Sequence, residues 1–461
     1  MALSVETTPI PGMLVVHLEV HGDNRGWFKE NWQRAKMVAL GLPDFEPVQN
    51  NMSFNAERGT TRGIHAEPWD KMVSSARGRY FGAWVDLRDG ATYGTVFTIV
   101  VDESIAVFVP RGVANAYQTL DDNVAYSYLV NDHWSADSLD SYAYVNVADE
   151  TLNIAWPIPL DQAVLSDKDM AHPRLADAKA VSPRKTLILG ANGQLGRALS
   201  AIMPDAGKFD IDTLDLTDPA QVAAFPWHEY GVVINAAGWT NVDGAETSEG
   251  RVGAWKSNAV VPALLAQLSI VHRQTLVHIS TDYVFDGTHD QWVEDDDMAP
   301  LSVYGQSKAA GDLAVAVAPR HYLMRTSWVV GDGKNFIKTM GELADKGVKP
   351  SVVGDQIGRL THTSNLAAAI KHVLDTQAPY GTYNCTDGGQ PISWADIAKA
   401  VFVAHGRSAD DVTPVTTQQY YAGKTGIAPR PLHSVFDLSK LKATGYQVPE
   451  YPVGVVEVAN Q

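Results

Sequence analysis

The chain has 461 residues, which is too long for one ordinary hydrophobic core, so we expect two or three domains. Hydrophobic residues make up 45% and charged residues 19% of it, as in a globular enzyme. Its 53 acidic and 36 basic side chains give a net charge of −17, which argues against nucleic acid or an anionic membrane as partner. The single cysteine, Cys385, excludes an intramolecular disulfide and a cysteine-based zinc cage. With no apolar run long enough to cross a bilayer and no secretory signal, we expect a cytoplasmic protein.

From residue 13 to about residue 158, short β-rich runs alternate with turns of Gly, Asn, Asp and Pro. Many strands without intervening helices are typical of a β-sandwich or barrel of the jelly-roll type. Only residues 32–40 resemble a short helix. The strands are predicted at residues 14–18, 80–85, 96–101, 106–109 and 124–130.

Three polar stretches interrupt this pattern, at residues 23–30, 49–53 and 61–71. In the third, strand alternation places His65 and Glu67 on the same face. A metal site is one interpretation, because cupin barrels often bind metal through His-x-His and a following Glu. The second His is absent from this sequence, so no metal is expected.

The motifs of the first 175 residues resemble those of the dTDP-4-dehydrorhamnose 3,5-epimerase family, a metal-independent cupin. They are Asp23-x-Arg25-Gly26-x-Phe28, Gln49-x-Asn51-x-Ser53, Arg62-Gly63-x-His65, Lys71, Val85-Asp86-Leu87-Arg88, Pro110-Arg111-Gly112 and Leu165-Ser166-Asp167-Lys168-Asp169. The match covers nearly the whole of residues 1–175.

The resemblance implies that His65, paired with Asp169, is a base and that Tyr128 is an acid on the opposite face of the sugar ring. Lys71 would be the cation near an enolate oxygen. These roles fit the chemistry, because inverting a centre next to a ketone removes an acidic proton from one face and returns a proton to the other. The implied substrate contacts, with Arg25 and Arg62 on the diphosphate, are Arg25, Phe28, Glu30, Gln49, Asn51 and Arg62.

The sequence departs from this family's pattern at three places. Asn115 occupies a position where the family usually has His, Glu67 one where it has Gln, and His133-Trp134 replaces a pair of aromatic residues. These departures admit a changed nucleotide preference, epimerisation at a single centre or reduced activity. They also motivate an alternative in which the first domain is a catalytically silent binding or dimerisation module.

Residues 176–184 are small, polar and closed by a proline, as in a linker. A buried-strand run at 185–189, a glycine turn at 190–196 and a helical run at 197–202 follow. This is the context of a dinucleotide site, in which the pyrophosphate lies on a helix N-terminus. The predicted cofactor-binding residues are Gly190, Asn192, Gly193, Gln194, Leu195, Gly196, Asp210, Asp215, Ala236, Ala237, Tyr304 and Lys308.

Tyr304 and Lys308 stand four residues apart at the start of an Ala-rich helical segment, so they project from one helix face. A neighbouring ammonium can stabilise a phenolate, which suits proton transfer. Buried strand runs at 232–238 and 276–280 each end in small or polar residues, at the sheet edge where ligands bind. Thr281 is therefore predicted to lie beside the cofactor.

These features resemble an extended short-chain dehydrogenase and, more narrowly, dTDP-4-dehydrorhamnose reductase, over residues 185–461. The most specific motif is Ser-Thr-Asp-Tyr-Val-Phe at 280–285. The resemblance implies a catalytic trio of Thr281, Tyr304 and Lys308, in which Tyr304 protonates the ketone oxygen. Lys308 would lower the pKa of Tyr304 and hold the nicotinamide ribose. The implied substrate contacts are Asp282, Tyr283, Trp328 and Arg430.

The cofactor is predicted to be NADPH or NADH. Asp210 and Asp212 stand where an acid would bind the adenosine ribose, which favours NAD by charge. The reductase family tolerates or prefers NADPH, so the two cofactors remain alternatives.

The sequence thus predicts an all-β cupin jelly roll at 1–175, a linker at 176–184, and a Rossmann-type doubly wound parallel sheet with a small C-terminal substrate lobe at 185–461. The expected function is bifunctional: 3,5-epimerisation of dTDP-4-keto-6-deoxyglucose, then reduction of the 4-ketone. A UDP-linked sugar is an alternative substrate. We also expect a homodimer through the cupin domain.

Overall fold

The computed structural model describes residues 2–134 and 141–450. The chain divides into two compact units, Met1–Pro183 and Arg184–Gln461. Within the described ranges, no helix is both long and apolar enough to cross a membrane.

The first unit is built mainly of short strands. Its helices are α1 (Arg34–Ala39) and α2 (Asp167–Met170). Its strands are β1 (Ser4–Thr7), β2 (Leu14–His17), β3 (Val20–Asp23), β4 (Gly26–Lys29), β5 (Gln49–Asn55), β6 (Thr61–Ala66), β7 (Lys71–Arg77), β8 (Tyr80–Asp86), β9 (Val96–Val101), β10 (Ile105–Val109), β11 (Val113–Thr119), β12 (Val124–Val130) and β13 (Ala143–Tyr144).

Two antiparallel sheets form the body of this unit. In the described residues, one sheet has the order β1-β2-β10-β7-β12-β5, and the other has the order β13-β6-β11-β8-β9. Buried side chains such as Val73, Trp84 and Val107 form the core, since alternate residues of a strand point to one face of its sheet. The jelly roll is confirmed, and all five predicted strands are present. The sequence missed α2, a single helical turn capped by Ser166.

The second unit alternates strands with helices. Its strands are β14 (Lys185–Leu189), β15 (Gly207–Phe209), β16 (Tyr230–Asn235), β17 (Thr275–Thr281), β18 (His321–Thr326), β19 (Val329–Val330), β20 (Ser351–Val353), β21 (Ile357–Gly358), β22 (Thr361–His362), β23 (Gly381–Asn384), β24 (Ile392–Ser393), β25 (Thr413–Val415) and β26 (His433–Ser434). Its helices are α3 (Gln194–Ile202), α4 (Pro219–Ala224), α5 (Ser248–Trp255), α6 (Val261–Val271), α7 (Val303–Val315), α8 (Phe336–Asp345), α9 (Thr363–Asp375), α10 (Trp394–Ala404), α11 (Thr417–Tyr421) and α12 (Ser439–Ala443).

A parallel sheet with the order β15-β14-β16-β17-β18-β23 is the centre of the second unit. Its strands are continuous apolar runs because helices cover both faces. Ile188 packs on the side of α3 and α9, whereas Leu187 and Leu189 pack on the side of α6 and α7. The predicted doubly wound sheet is confirmed. The strand order reverses between β14 and β16, which is where such sheets bind ligands.

A smaller core lies beside this sheet. It is formed by side chains of α8, α10 and β20, among them Ile337, Val352, Ile397 and Phe402. The predicted lobe segment 393–405 contributes α10 to this cluster.

The segment predicted as a linker begins inside the first unit. The backbone of Val181 pairs with Leu87 and Asp89, with Val181 N 2.7 Å from Leu87 O. An extended chain beside a strand end satisfies its own backbone groups in this way. Residues as far as Val181 therefore pack on the first unit.

Gly311 allows α7 to approach the π-helical segment Lys256–Val260, which joins α5 to α6. A Cβ at this position would lie 2.1 Å from the carbonyl oxygen of Asn258. We expect Gly311→Ala to destabilise the second unit by about 1–3 kcal/mol through overpacking, although Ala favours a helix by about 1 kcal/mol. Thermal and urea unfolding would measure this change. Gly388→Ala is the control, because its Cβ would have no neighbour closer than 3.5 Å; equal stability of both variants would contradict the packing argument.

Candidate active sites

A buried lysine is the centre of the candidate site in the first unit. Lys71 begins β7 with a side chain only 2% exposed, and Glu67 stands just beyond the end of β6. The Nζ of Lys71 donates hydrogen bonds to Glu67 Oε2 and to Asn115 Oδ1. Burial lowers the pKa of Lys71, and the carboxylate of Glu67 opposes this effect.

His65 lies against the same carboxylate. Its Nδ1 is 3.0 Å from Glu67 Oε1, an ion-pair contact that is not aligned as a hydrogen bond. Burial alone would raise the pKa of Glu67, but Lys71 and His65 outweigh burial and lower that pKa to about 2. Glu67 is therefore a carboxylate at neutral pH.

The structure does not place Asp169, the implied partner of His65, within ion-pair distance of that imidazole. Asp169 is in the first turn of α2, and its Oδ1 lies 3.7 Å from His172 Nε2. Glu67, two residues after His65 along the chain, occupies the position next to Nδ1 instead. Among the described residues, Glu67 is the carboxylate within ion-pair distance of His65.

Tyr128 lies on β12, beside Lys71's strand, where it pairs in register with Val73. Burial raises the pKa of Tyr128, the charge of Glu67 adds to this rise, and a hydrogen bond with Asn51 opposes it. The phenol is therefore protonated at neutral pH, as a proton donor must be. The structure brings Tyr128, His65 and Lys71 together around Glu67.

The implied substrate contacts fall into two groups. Gln49, Asn51 and Arg62 lie near Tyr128: Gln49 Nε2 donates to Asn51 Oδ1 at 2.8 Å, and the charge of Arg62 acts on Tyr128. Arg25, Phe28 and Glu30 belong to the β3–β4 hairpin and the residue after it. Arg25 pairs with Asp23, Glu30 pairs with Lys36 at 2.6 Å, and Phe28 is 65% exposed. The described contacts do not bring this second group to His65.

Sequence reasoning missed two rings beside His65. Tyr144 on β13 pairs in register with His65, and its ring stacks on that of His172 at 4.5 Å. The spacing of three residues between Asp169 and His172 could have indicated that these two side chains lie together, since such residues adjoin on a helical turn.

In the second unit, the glycine turn between β14 and α3 requires two glycines. Gly190 has φ +77°, and a Cβ there would lie 2.6 Å from Ala237 N. A Cβ on Gly196 would lie 2.1 Å from Gly190 O. The turn thereby exposes the backbone of Asn192 and Gly193 at the start of α3, beside Gln194 and Leu195. This cradle fits a pyrophosphate at a helix N-terminus.

The predicted ribose-binding acids differ in their surroundings. Asp210 Oδ2 accepts a hydrogen bond from Asn192 N at 2.8 Å, which places this carboxylate beside the turn. Asp212 is exposed. Asp215 accepts hydrogen bonds from the backbone and the hydroxyl of Thr217, and these lower its pKa. Ala236 and Ala237 follow β16 at the opposite side of the turn, where Ala236 N bonds Leu189 O.

Thr281 and Tyr304 meet at the end of β17. Thr281 Oγ1 donates to Asp282 Oδ1 at 2.9 Å, and Asp282 accepts a further hydrogen bond from Ser434. Burial raises the pKa of Asp282 to about 6. Tyr304 is in the first turn of α7 and hydrogen bonds with Thr281.

Lys308 lies behind Tyr304, one turn along α7. Its Nζ donates to Ile279 O at 2.5 Å and lies 3.4 Å from His278 Nε2. Burial lowers the pKa of Lys308 to about 8, and the buried Asp312 opposes this effect. Burial also holds the pKa of His278 well below its ordinary value, so its imidazole is neutral.

The pKa of Tyr304 is raised, whereas the sequence led us to expect that Lys308 would lower it. Burial raises the pKa of Tyr304, and the hydrogen bond with Thr281 opposes that rise. The ammonium of Lys308 is directed at the Ile279 carbonyl. Tyr304 is consequently a protonated phenol at neutral pH, which is the form needed to protonate a ketone oxygen.

The three remaining implied substrate contacts surround Tyr304 or lie in the smaller lobe. Tyr283 meets Tyr304 edge to face at 5.4 Å. The charge of Arg430 acts on Tyr283, and Arg430 pairs with Asp243 at 3.0 Å. Trp328, with φ +46°, stacks on Trp394 at 3.9 Å. Trp394 was missed because nothing near it in sequence indicates this partner.

In the described part of the chain, no group of three or more His, Cys, Asp or Glu side chains is arranged to hold a metal ion.

A jelly roll with a His–carboxylate–Lys cluster, followed by a dinucleotide fold with Thr at a strand end and Tyr and Lys on helix α7, defines a class of two-unit enzyme: an isomerase joined to a nicotinamide-dependent oxidoreductase. Residues 7–177 match the family model described as dTDP-4-dehydrorhamnose 3,5-epimerase, and residues 184–461 match that of the RmlD substrate binding domain. The chain belongs to these two families, one in each unit.

Relatives of each unit are known separately. The first unit is 50% identical over 184 residues to a Protein RmlC homolog of Streptococcus pyogenes, covering 39% of this chain and 92% of that protein. The second is 36% identical over 274 residues to a dTDP-4-dehydrorhamnose reductase of Aggregatibacter actinomycetemcomitans, covering 56% and 92%. A Bacillus anthracis dTDP-4-dehydrorhamnose reductase, solved in complex with NADP, is similar with a TM-score of 0.55 and 33% identity, covering 60% of this chain and 98% of that one.

Lys308 gives the reductase site an alkaline limit. Its pKa of about 8 means that its charge is lost as the pH rises through that value. Because kcat/KM reports groups of the free enzyme, we expect kcat/KM for ketone reduction to fall about tenfold per pH unit above pH 8. Rates measured from pH 6 to 10 would test this, with Lys308→Met as the control that lacks the titrating group. A flat profile up to pH 10 would contradict the assignment.

Proposed function

We propose that this chain is a bifunctional enzyme of dTDP-L-rhamnose synthesis. The first unit epimerises dTDP-4-keto-6-deoxyglucose at carbons 3 and 5, and the second reduces the 4-ketone with NADPH or NADH. The observation that carries this proposal is that one chain holds both sites, each with the groups that one of two consecutive reactions requires. Residues 176–184 would be the connection between them, and a cytoplasmic location stays a prediction.

In the epimerase, His65 takes the proton next to the ketone, and the electrons of the broken C–H bond move to the carbonyl oxygen. Lys71 stabilises the enolate that forms, because a cation in a dry site is most effective where charge develops. Tyr128, protonated at neutral pH, returns a proton from the opposite face. Gln49, Asn51 and Arg62 would bind the nucleotide sugar.

In the reductase, the bound nicotinamide would supply a hydride to carbon 4. The glycine turn, Asp210 and the alanines after β16 would hold the cofactor, whereas the place of Asp215 in a local turn makes it a weaker candidate. Tyr304 gives its proton to the ketone oxygen, with Thr281 as its hydrogen-bond partner. Lys308 keeps a positive charge behind Tyr304, and Asp282, Tyr283, Trp328 and Arg430 would bind the sugar.

The two sites can be tested separately within one chain. Incubation with dTDP-4-keto-6-deoxyglucose in heavy water, without reduced nicotinamide, should introduce deuterium at carbons 3 and 5. Addition of NADPH should then give dTDP-L-rhamnose. We expect His65→Ala to abolish the deuterium exchange. Tyr304→Phe should keep the exchange but slow NADPH oxidation by about 10²–10⁴-fold, the usual contribution of a general acid.

The same assay separates the alternatives. Exchange by the wild-type chain would refute a silent first unit, and its absence would refute the epimerase function. Formation of product from the UDP sugar in preference to the dTDP sugar would refute the dTDP assignment. NADH is compared with NADPH in parallel.

We also propose a homodimer through the first unit. Its β3–β4 hairpin exposes Trp27 and Phe28, and the edge strand β5 exposes Met52 and Phe54. Exposed apolar side chains on a sheet edge favour association. In such a dimer, the hairpin residues Arg25, Phe28 and Glu30 would contact a nucleotide sugar bound to the partner.

The dimer can be tested by sedimentation velocity. The double variant Phe28→Ser, Met52→Ser should shift the wild-type dimer toward monomer, because both side chains are more than 60% exposed in the single chain. Val252→Ser, at an equally exposed apolar residue of the second unit, is the matched control. A monomeric wild type, or a double variant that stays dimeric, would contradict the proposal.

A further inference from the structure

Glu67 is a buried carboxylate between the two groups that epimerisation requires. Its Oε1 lies 3.0 Å from His65 Nδ1, and its Oε2 accepts a hydrogen bond from Lys71 Nζ. We propose that Glu67 is the positioning residue of this site, holding both the base His65 and the cation Lys71. The inference rests on the proposed epimerase function. It assigns to Glu67 the role that family resemblance gives to Asp169.

The position of Asp169 supports this exchange of roles. Its backbone N–H is bonded to Ser166 Oγ at the start of α2, and its carboxylate lies 3.7 Å from His172. His172 is in turn held flat against Tyr144 at 4.5 Å. Asp169 therefore faces a second imidazole, and Glu67 is the carboxylate of the described residues that lies within ion-pair distance of the first.

Two departures from the family pattern meet at one atom. Lys71 Nζ donates both to Glu67, which stands in place of Gln, and to Asn115, which stands in place of His. An ammonium has three N–H donors, so these two contacts leave one for an enolate oxygen. Asn115 is itself oriented, since its Nδ2 donates to Tyr126 OH at 3.4 Å. The charge that Glu67 adds to this buried position is balanced by Lys71.

A carboxylate at Nδ1 determines what His65 can do. It favours the tautomer with the proton on Nδ1, which leaves Nε2 as the base, and it stabilises the imidazolium that forms when Nε2 takes the proton. Catalytic hydrogen bonds are often poorly aligned before substrate binds, as the Glu67–His65 contact is. The other titratable groups around His65 are Lys71 on β7, Tyr128 on β12, Tyr144 on β13, and Asp169 and His172 at α2.

The test uses the intact chain and the deuterium exchange without nicotinamide. Glu67→Gln keeps the shape and removes the charge. We expect its exchange rate at saturation to fall by about 10² or more, given that loss of the carboxylate behind a catalytic His costs about 10⁴ in a serine protease, with KM little changed.

Three variants complete the test. Glu67→Asp keeps the charge and should show a smaller loss of exchange rate than Glu67→Gln, which covers the case that Glu67→Gln does not fold. Asp169→Asn should lose much less than Glu67→Gln. Asp167→Asn, an exposed neighbour on α2, should match the wild type. The reductase activity of the same chain, assayed on epimerised substrate, confirms the amount of folded enzyme.

The outcomes are distinct. If Glu67→Gln keeps the wild-type exchange rate, or if Asp169→Asn shows the larger loss, the role of Glu67 is refuted while the epimerase function stands. If the wild type shows no exchange, the epimerase function itself fails.

Discussion

Each unit of this chain encloses a lysine ammonium almost completely, and the cost of desolvating that charge constrains everything around it. Lys71 is 2% exposed and Lys308 is 6% exposed. A buried ammonium is tolerated only where acceptors replace its water. In the first unit those acceptors come from the end of β6 and from β11; in the second, the carbonyl comes from β17. The sheet geometry that brings these elements together is therefore also the geometry of the sites.

The two buried ammonium groups have different partners, and their chemical roles differ accordingly. Lys71 has a carboxylate partner that stays ionised, and this charge opposes the lowering of the Lys71 pKa by burial. Lys308 contacts a carbonyl and a neutral imidazole, and its charge becomes pH-sensitive. A cation paired with a carboxylate suits the stabilisation of an enolate. The titrating ammonium of Lys308 lies behind the phenol of Tyr304, whose pKa is raised by burial. This arrangement suits a step in which a proton leaves that phenol.

The parts of the structure that follow from local pattern were predictable. The strands of both units, the glycine turn before α3 and the shared helix face of Tyr304 and Lys308 depend on residues close in sequence. The contacts that were not predicted join residues far apart, or residues whose direction depends on packing. Asp169 turns to His172 because of the short helix α2, and Trp328 stacks on Trp394 from a separate helix. Likewise, the pKa of Tyr304 follows from its burial, which no spacing rule measures.

By itself, the sequence determined the two folds, their order and the residue types available for proton transfer in each, because periodicity, turn residues and motif spacing are local properties. Only the tertiary structure decided which carboxylate stands beside His65, which acceptors hold Lys71 and Lys308, and which phenols remain protonated. Those outcomes depend on distance and desolvation between elements brought together by folding. Glu67, where the chain passes from β6 in one sheet to β7 in the other, is the carboxylate that the fold brings to His65.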